Sequence, residues 1–162
     1  MTERFIDLNG ASLWLSEQGN GTPLMLLNGG PGCCDYLGPV ASMIDDLVHV
    51  YRYEPRGCGR SSADGPYDLN TTLADLEGLR SFLGIEKWFL AGHSWGSGVA
   101  LAYALEYPGR VLSLIYLSGS GIQNDRAWHD AYTLGRDSHA RHIRQQGHPP
   151  QLAGAAARQP HA

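Results

Sequence analysis

The sequence predicts an α/β protein built on a mainly parallel, doubly wound sheet, and three observations predict it. Six short runs of strand character alternate, after an initial pair, with helix-like stretches, the pattern that places helices on both faces of a parallel sheet. Glycine-rich loops follow several of those runs directly. The pentapeptide Gly92-His93-Ser94-Trp95-Gly96 joins an apolar run, Trp88 to Ala91, to a small-residue helical stretch from Ser97 to Leu105.

Taken in order, Arg4 to Leu8 and Ser12 to Glu17 alternate apolar and polar residues on either side of Asn9-Gly10, a hairpin turn signal. Leu24 to Leu27 is apolar throughout, as a strand buried on both faces requires, and runs into Asn28-Gly29-Gly30-Pro31-Gly32. Tyr36 to Leu47 is expected to be helical. Val48 to Tyr53 reads as a strand ending at Glu54-Pro55-Arg56-Gly57-Cys58-Gly59-Arg60-Ser61-Ser62. Asn70 or Thr71 is expected to cap a helix with Leu73, Leu76, Leu79, Phe82 and Leu83 on one face and Gly84 at its end. Lys87 to Ala91 is the next strand. The helix Val99 to Tyr107 is apolar all round, hence expected to be buried, and stops at Pro108-Gly109. Val111 to Leu117 is the sixth strand. Asn124 to Leu134 can form a further helix.

The remainder differs in kind. From Arg136 to Ala162 the chain holds four Arg, four His, four Gln and three Pro, with Ile143 and Leu152 as its large aliphatics. Such a segment buries too little apolar surface to offset its ordering entropy. The expected organisation is therefore a partial α/β core over residues 1–135 and a disordered or out-of-frame-like tail over 136–162.

Bulk properties narrow the function classes. The 162 residues are 43% hydrophobic and 17% charged, with a net charge of −4, which suits one soluble globular domain. No basic stripe interleaved with aromatics suggests nucleic acid. The first residues lack a signal-peptide layout, and no apolar run is long enough to span a bilayer. Cys33, Cys34 and Cys58 have no metal-ligand spacing with histidine and read as reduced thiols of a cytoplasmic protein. Gly96-Ser97-Gly98 lacks a third spaced glycine and no phosphate-loop lysine is present, so a nucleotide-binding domain has little support. No cofactor and no metal are expected.

The chemistry concentrates on Ser94. A strand, sharp turn and helix lift one hydroxyl clear of a sheet and seat it at a helix N-terminus, the arrangement of an activated serine nucleophile. The two flanking glycines remove side chains that would crowd the turn. The simpler alternative is a glycine-rich turn with an incidental serine. Acyl transfer also needs donors aimed at the developing oxyanion. The N–H of Trp95, at the helix start, supplies one. Gly29, in the loop leaving a central strand, is the expected second, ahead of Gly30. His93 is adjacent to the serine but points elsewhere on a tight turn, so it is expected to pack or hydrogen-bond structurally and not to act as the base.

With those residues in place, the chain resembles the alpha/beta-hydrolase superfamily and, within it, the proline iminopeptidase-like group. The resemblance rests on Asn28-Gly29-Gly30-Pro31-Gly32, Arg56-Gly57-Cys58-Gly59-Arg60-Ser61 and Gly92-His93-Ser94-Trp95-Gly96, in that order, and covers roughly residues 1–135. It implies a serine hydrolase acting on a small ester, an amide or an N-terminal peptide bond. Ser94 would be the nucleophile, Gly29 and Trp95 the oxyanion hole. The motif starting at Arg56 would help order the loops at the site; the competing expectations are a structural turn with Arg56 in a buried ion pair and a direct catalytic part. The group usually carries histidine at Asn28 and an Asp-Gln pair at Glu54-Pro55; Asn28 can brace its loop by hydrogen bonding instead.

The same resemblance implies an acid and a histidine from loops beyond a helical cap, in the chain order Ser, Asp or Glu, His. Only the first six strands are recognisable here, so the last two strands, the cap and both remaining triad positions are expected to be missing. Asp125 or Asp130 as acid and His129, His139, His142 or His148 as base are the local substitutes. The competing expectation is a non-catalytic hydrolase fragment or an interaction protein. With no strand beyond it, Val111 to Leu117 would be an apolar edge, which predicts self-association.

Overall fold

A computed structural model describes residues 1–119 of the chain. The expectations for Asn124 to Leu134, the tail, and the substitute acids and bases fall outside those residues. Six strands form one sheet: β1 (Thr2–Leu8), β2 (Ala11–Gln18), β3 (Pro23–Leu27), β4 (His49–Tyr53), β5 (Trp88–His93) and β6 (Val111–Leu117). Their spatial order is β1-β2-β4-β3-β5-β6. β1 pairs antiparallel with β2, and β2 antiparallel with β4; β4, β3, β5 and β6 are parallel. A parallel core thus carries an antiparallel hairpin on one side, turned by Asn9 and Gly10, both at positive φ.

Among the described residues three α-helices flank the sheet: α1 (Gly38–Ser42), α2 (Leu69–Phe82) and α3 (Trp95–Glu106). The uninterrupted apolar run of β3 is explained by burial on both faces. Met25 and Leu27 join Leu73, Leu76 and Leu79 of α2 and Val99, Ala100 and Tyr103 of α3 in the larger core cluster, whereas Leu24 and Leu26 pack with Leu37 and Ala41 on the opposite side. β5 divides the same way, Trp88 and Leu90 to one cluster and Ala91 to the other.

Four local expectations are corrected. The helix expected over Tyr36 to Leu47 is confined to Gly38–Ser42. Beyond it the amides of Met43, Ile44 and Leu47 bond three residues back, to Val40, Ala41 and Ile44, so the chain tightens into successive turns. That tight segment lies against Gly19, where a β-carbon would come within 2.4 Å of the Asp45 carbonyl oxygen. The α2 cap is Asp68, one residue before Leu69, and not Asn70 or Thr71: its carboxylate accepts from the Thr71 N–H at 2.8 Å. Phe82 is 61% exposed, and Arg80 takes its place on the buried side. α3 starts four residues earlier than expected and is not buried all round, since Leu105 is 75% exposed.

The chain passes from β3 outward to β4, then crosses back to β5 on the other side of β3. The carboxyl ends of β3 and β5 therefore adjoin where the strand order reverses, the place where open α/β sheets form a crevice for ligands. Their register pairs Leu27 with Gly92, so the Asn28–Gly32 loop and the Ser94 turn leave the sheet side by side.

Candidate active site

Ser94 occupies the turn between β5 and α3 with φ 54° and ψ −118°, a backbone state that a residue bearing a side chain adopts at a cost of ~1–3 kcal/mol. Neighbours hold it there. Its N–H donates to the Leu117 carbonyl at the end of β6 (2.9 Å), and its carbonyl accepts from the Ser97 N–H (3.1 Å). The flanking glycines are steric necessities. A β-carbon on Gly92 would lie 2.2 Å from the Gly96 carbonyl oxygen, and one on Gly96 would lie 2.4 Å from the Leu27 carbonyl oxygen. α3 is thereby drawn onto the end of β3. Ser94 itself is half-buried, outside the packed interior.

Gly29 stands beside it. A methyl group built on Gly29 would reach within 3.1 Å of Ser94 Cβ. The loop that carries Gly29 is fixed by Asn28, whose buried amide donates to the carbonyls of Gly29 (3.1 Å) and Cys33 (3.0 Å). Asn28 therefore braces the loop, as expected. Gly30 takes φ +148° immediately before Pro31, a conformation closed to other residues. Trp95 is the first residue of α3, so its N–H belongs to the helix-start amides that no intrahelical carbonyl can satisfy. The structure thus brings Ser94, Gly29 and Trp95 to one point at the strand crossover.

Sequence reasoning missed a fourth residue there. Tyr36 reaches back over the loop: its hydroxyl accepts from the Gly29 N–H at 2.6 Å and lies 2.6 Å from His93 Nδ1. The rings of Tyr36 and His93 meet edge to face, 5.8 Å between centroids. His93 is engaged structurally, as anticipated. Nothing in the spacing of Tyr36 marked it, because that position reads as the start of a helix.

A cavity of about 440 Å³ opens next to this group, lined by Pro31, Tyr53, Cys58, Tyr67 and Trp95 among others, with Arg56 and Asp75 on its wall. Arg56 stands in a buried ion pair. Its guanidinium grips the Asp75 carboxylate through Nε (2.6 Å) and Nη2 (2.9 Å) and also donates to the Asn9 carbonyl (2.7 Å). Hydrogen bonding to Asp75 holds the guanidinium even more firmly protonated than usual. Asp75 is a second residue the sequence did not single out.

The neighbouring loop turns on Glu54, fully buried after β4, which accepts from Arg60 Nη2 (2.9 Å), from the Arg60 backbone N–H and from the Asp35 N–H (2.9 Å). Cys58 is buried, and burial pushes its thiol pKa up, outweighing the Gly32 N–H that bonds it. Cys33 and Cys34 are exposed, and the three cysteines form no disulfide. Among the described residues no group of His, Cys, Asp and Glu could hold a metal ion. No described helix is long and apolar enough to cross a membrane.

Comparison with known proteins agrees with this fold. The chain is 39% identical over 114 residues to the proline iminopeptidase of Neisseria gonorrhoeae, a span of 64% of this chain and 35% of the relative. It is 38% identical over 127 residues to the proline iminopeptidase of Heyndrickxia coagulans, covering 72% and 43% respectively. The chain therefore spans well under half the length of these curated relatives. Among solved structures, the proline iminopeptidase of Mycobacterium smegmatis shares the fold with a TM-score of 0.75 at 24% identity, over 88% of this chain and 56% of that one. The meta-cleavage product hydrolase of Pseudomonas fluorescens matches with a TM-score of 0.70 at 25% identity, over 75% and 47%. The profile of the alpha/beta hydrolase fold matches residues 22–143, three quarters of the sequence, and the chain belongs to that family.

Proposed function

We propose that this chain carries the nucleophile and oxyanion cradle of a serine hydrolase, proline iminopeptidase-like in ancestry, acting on a small ester, an amide or an N-terminal peptide bond. The observation that carries this reading is the strained Ser94 turn set against Gly29 at the strand crossover. In the reaction, the Ser94 oxygen bonds to the substrate carbonyl carbon while a base takes the hydroxyl proton. The carbonyl oxygen becomes an oxyanion and receives the N–H groups of Gly29 and Trp95, the latter reinforced by the α3 dipole. Preference for an N-terminal peptide bond is supported by the relatives' names alone.

The last two triad positions are expected to be missing and their local substitutes fall outside the described residues, so reactivity of the serine is the direct test and turnover is secondary. An alkyl fluorophosphonate should label the wild-type chain, with a Ser94 O–P bond formed and fluoride expelled, and leave Ser94→Ala unlabelled. Equal labelling of the two, or none of a folded wild-type preparation, overturns the reading. A cytoplasmic location goes with it, supported by three cysteines left unpaired.

A further inference from the structure

The Gly29 N–H, one of the two donors assigned to the oxyanion, is already occupied. The Tyr36 hydroxyl oxygen sits 2.6 Å from it, at or inside the 2.7–3.1 Å or so at which such a donor holds an oxyanion. One N–H shared between two oxygens bonds each of them less well, so a substrate carbonyl gains the full Gly29 hydrogen bond only after that hydroxyl has gone. With the imidazole proton on Nε2, the hydroxyl hydrogen is directed to His93 Nδ1. The hydroxyl therefore presents a lone pair to the cradle and spends its own proton elsewhere. It is also crowded against Ser94: a β-carbon on Gly29 would meet the Tyr36 oxygen at 2.6 Å and Ser94 Cβ at 3.1 Å.

The backbone on either side of Tyr36 is pinned, while its side chain is held at the hydroxyl and by ring contact with His93. The Asp35 N–H donates to buried Glu54 (2.9 Å), and the Asp35 carboxylate pairs with buried Arg52. Leu37 is buried and its N–H donates to the Asp35 carboxylate (3.1 Å). Tyr36 itself is 43% exposed. Departure of the hydroxyl thus requires breaking its bonds to Gly29 and His93 and rotating the side chain toward solvent, with the flanking backbone held in place.

We propose that Tyr36 is a built-in occupant of the oxyanion hole, its hydroxyl holding the Gly29 N–H and tying the Asn28–Gly32 loop to His93 until a substrate carbonyl oxygen displaces it. This rests on the reading of Ser94 as nucleophile and Gly29 as oxyanion donor. The device keeps the donor aimed and satisfied at rest, and it taxes every substrate by the hydrogen bonds that must be exchanged. A hydroxyl that instead assisted the reaction would donate to the oxyanion, and its removal would slow the chemistry.

The test compares fluorophosphonate labelling rates of wild type, Tyr36→Phe and Ser94→Ala, together with the ¹⁵N–¹H resonance of Gly29 in the first two. Tyr36→Phe should label roughly two- to ten-fold faster than wild type, the span set by the net value of one hydrogen bond. The Gly29 amide proton should move upfield and exchange with water faster. Labelling at an equal or slower rate overturns the proposal, the slower result making Tyr36 a donor. An unchanged Gly29 resonance also overturns it. Absence of labelling in both proteins, or persistence in Ser94→Ala, marks failure of the nucleophile reading and removes the proposal with it.

Discussion

Arg56 and Asp75 face each other with two parallel hydrogen bonds of 2.6 and 2.9 Å, their side chains 6% and 3% exposed. The pair ties the loop after β4 to the middle of α2, and through Asn9 to the β1–β2 turn. Breaking it from one side leaves an uncompensated buried charge, which costs ~3–5 kcal/mol. Asp75→Ala should therefore lower the urea midpoint severely, while Arg56→Met with Asp75→Leu, apolar on both sides, should recover much of the loss. Equal destabilisation by the single and double variants would contradict this.

The glycines around Ser94 separate by geometry and not by position in the motif. A β-carbon at Gly92 or Gly96 meets backbone atoms at 2.2 and 2.4 Å, and backbone cannot step aside as a side-chain tip can. Gly92→Ala and Gly96→Ala should each cost ~1–3 kcal/mol or more, the range for overpacking, and should abolish labelling of Ser94. At Gly98 a β-carbon meets nothing within 4 Å, inside α3. Gly98→Ala should stabilise by ~0.5–1 kcal/mol, read as a raised urea midpoint with labelling retained.

The sequence exposed what is periodic or sterically compelled, and little else. The hairpin of β1 and β2, the unbroken apolar run of β3 and the positive-φ Gly84 just past α2 were all legible; the alternation read in β2 was not borne out, since residues 13–16 are all buried. So was the approach of Gly29 to Ser94, because both follow parallel strands that adjoin at the crossover. Asp75 was hidden because its partner lies 19 residues away, in a loop with no periodicity. Asp68 took the cap from Asn70 and Thr71 because several cap-forming residues stood together and only the backbone geometry chooses among them. Tyr36 was read as helical, but the chain stays irregular until Gly38, held by Asp35 on Glu54.

Glu54 is expected to make the fold acid-sensitive. Burial alone would raise its pKa, but the Arg60 guanidinium and the N–H groups of Arg60 and Asp35 outweigh burial and bring it below the ordinary 4.5. A folded-state pKa depressed in this way contributes stability that is fully present above the unfolded value and is lost as pH falls through the folded value. Urea midpoints measured downward from pH 7 should hold until near pH 4.5 and then fall, and the fall should be shallower in Glu54→Gln. An identical acid limb in the two proteins would remove Glu54 as its cause.

β6 closes one side of the described sheet, paired to β5 alone, with Leu112, Ile115 and Leu117 44–48% exposed. Among the described residues no strand pairs with its outer edge. An apolar, uncharged edge presents N–H and C=O groups ready to pair with another chain, and no lysine or proline interrupts Val111–Leu117 to discourage it. We expect the polypeptide to self-associate through this edge, with a mass that rises with concentration in light scattering after size exclusion. Ile115→Lys should shift the material toward monomer, because a charge on an edge strand opposes pairing while leaving the β5–β6 hydrogen bonds in place. A wild-type chain that stays monomeric across the whole dilution series would overturn this expectation.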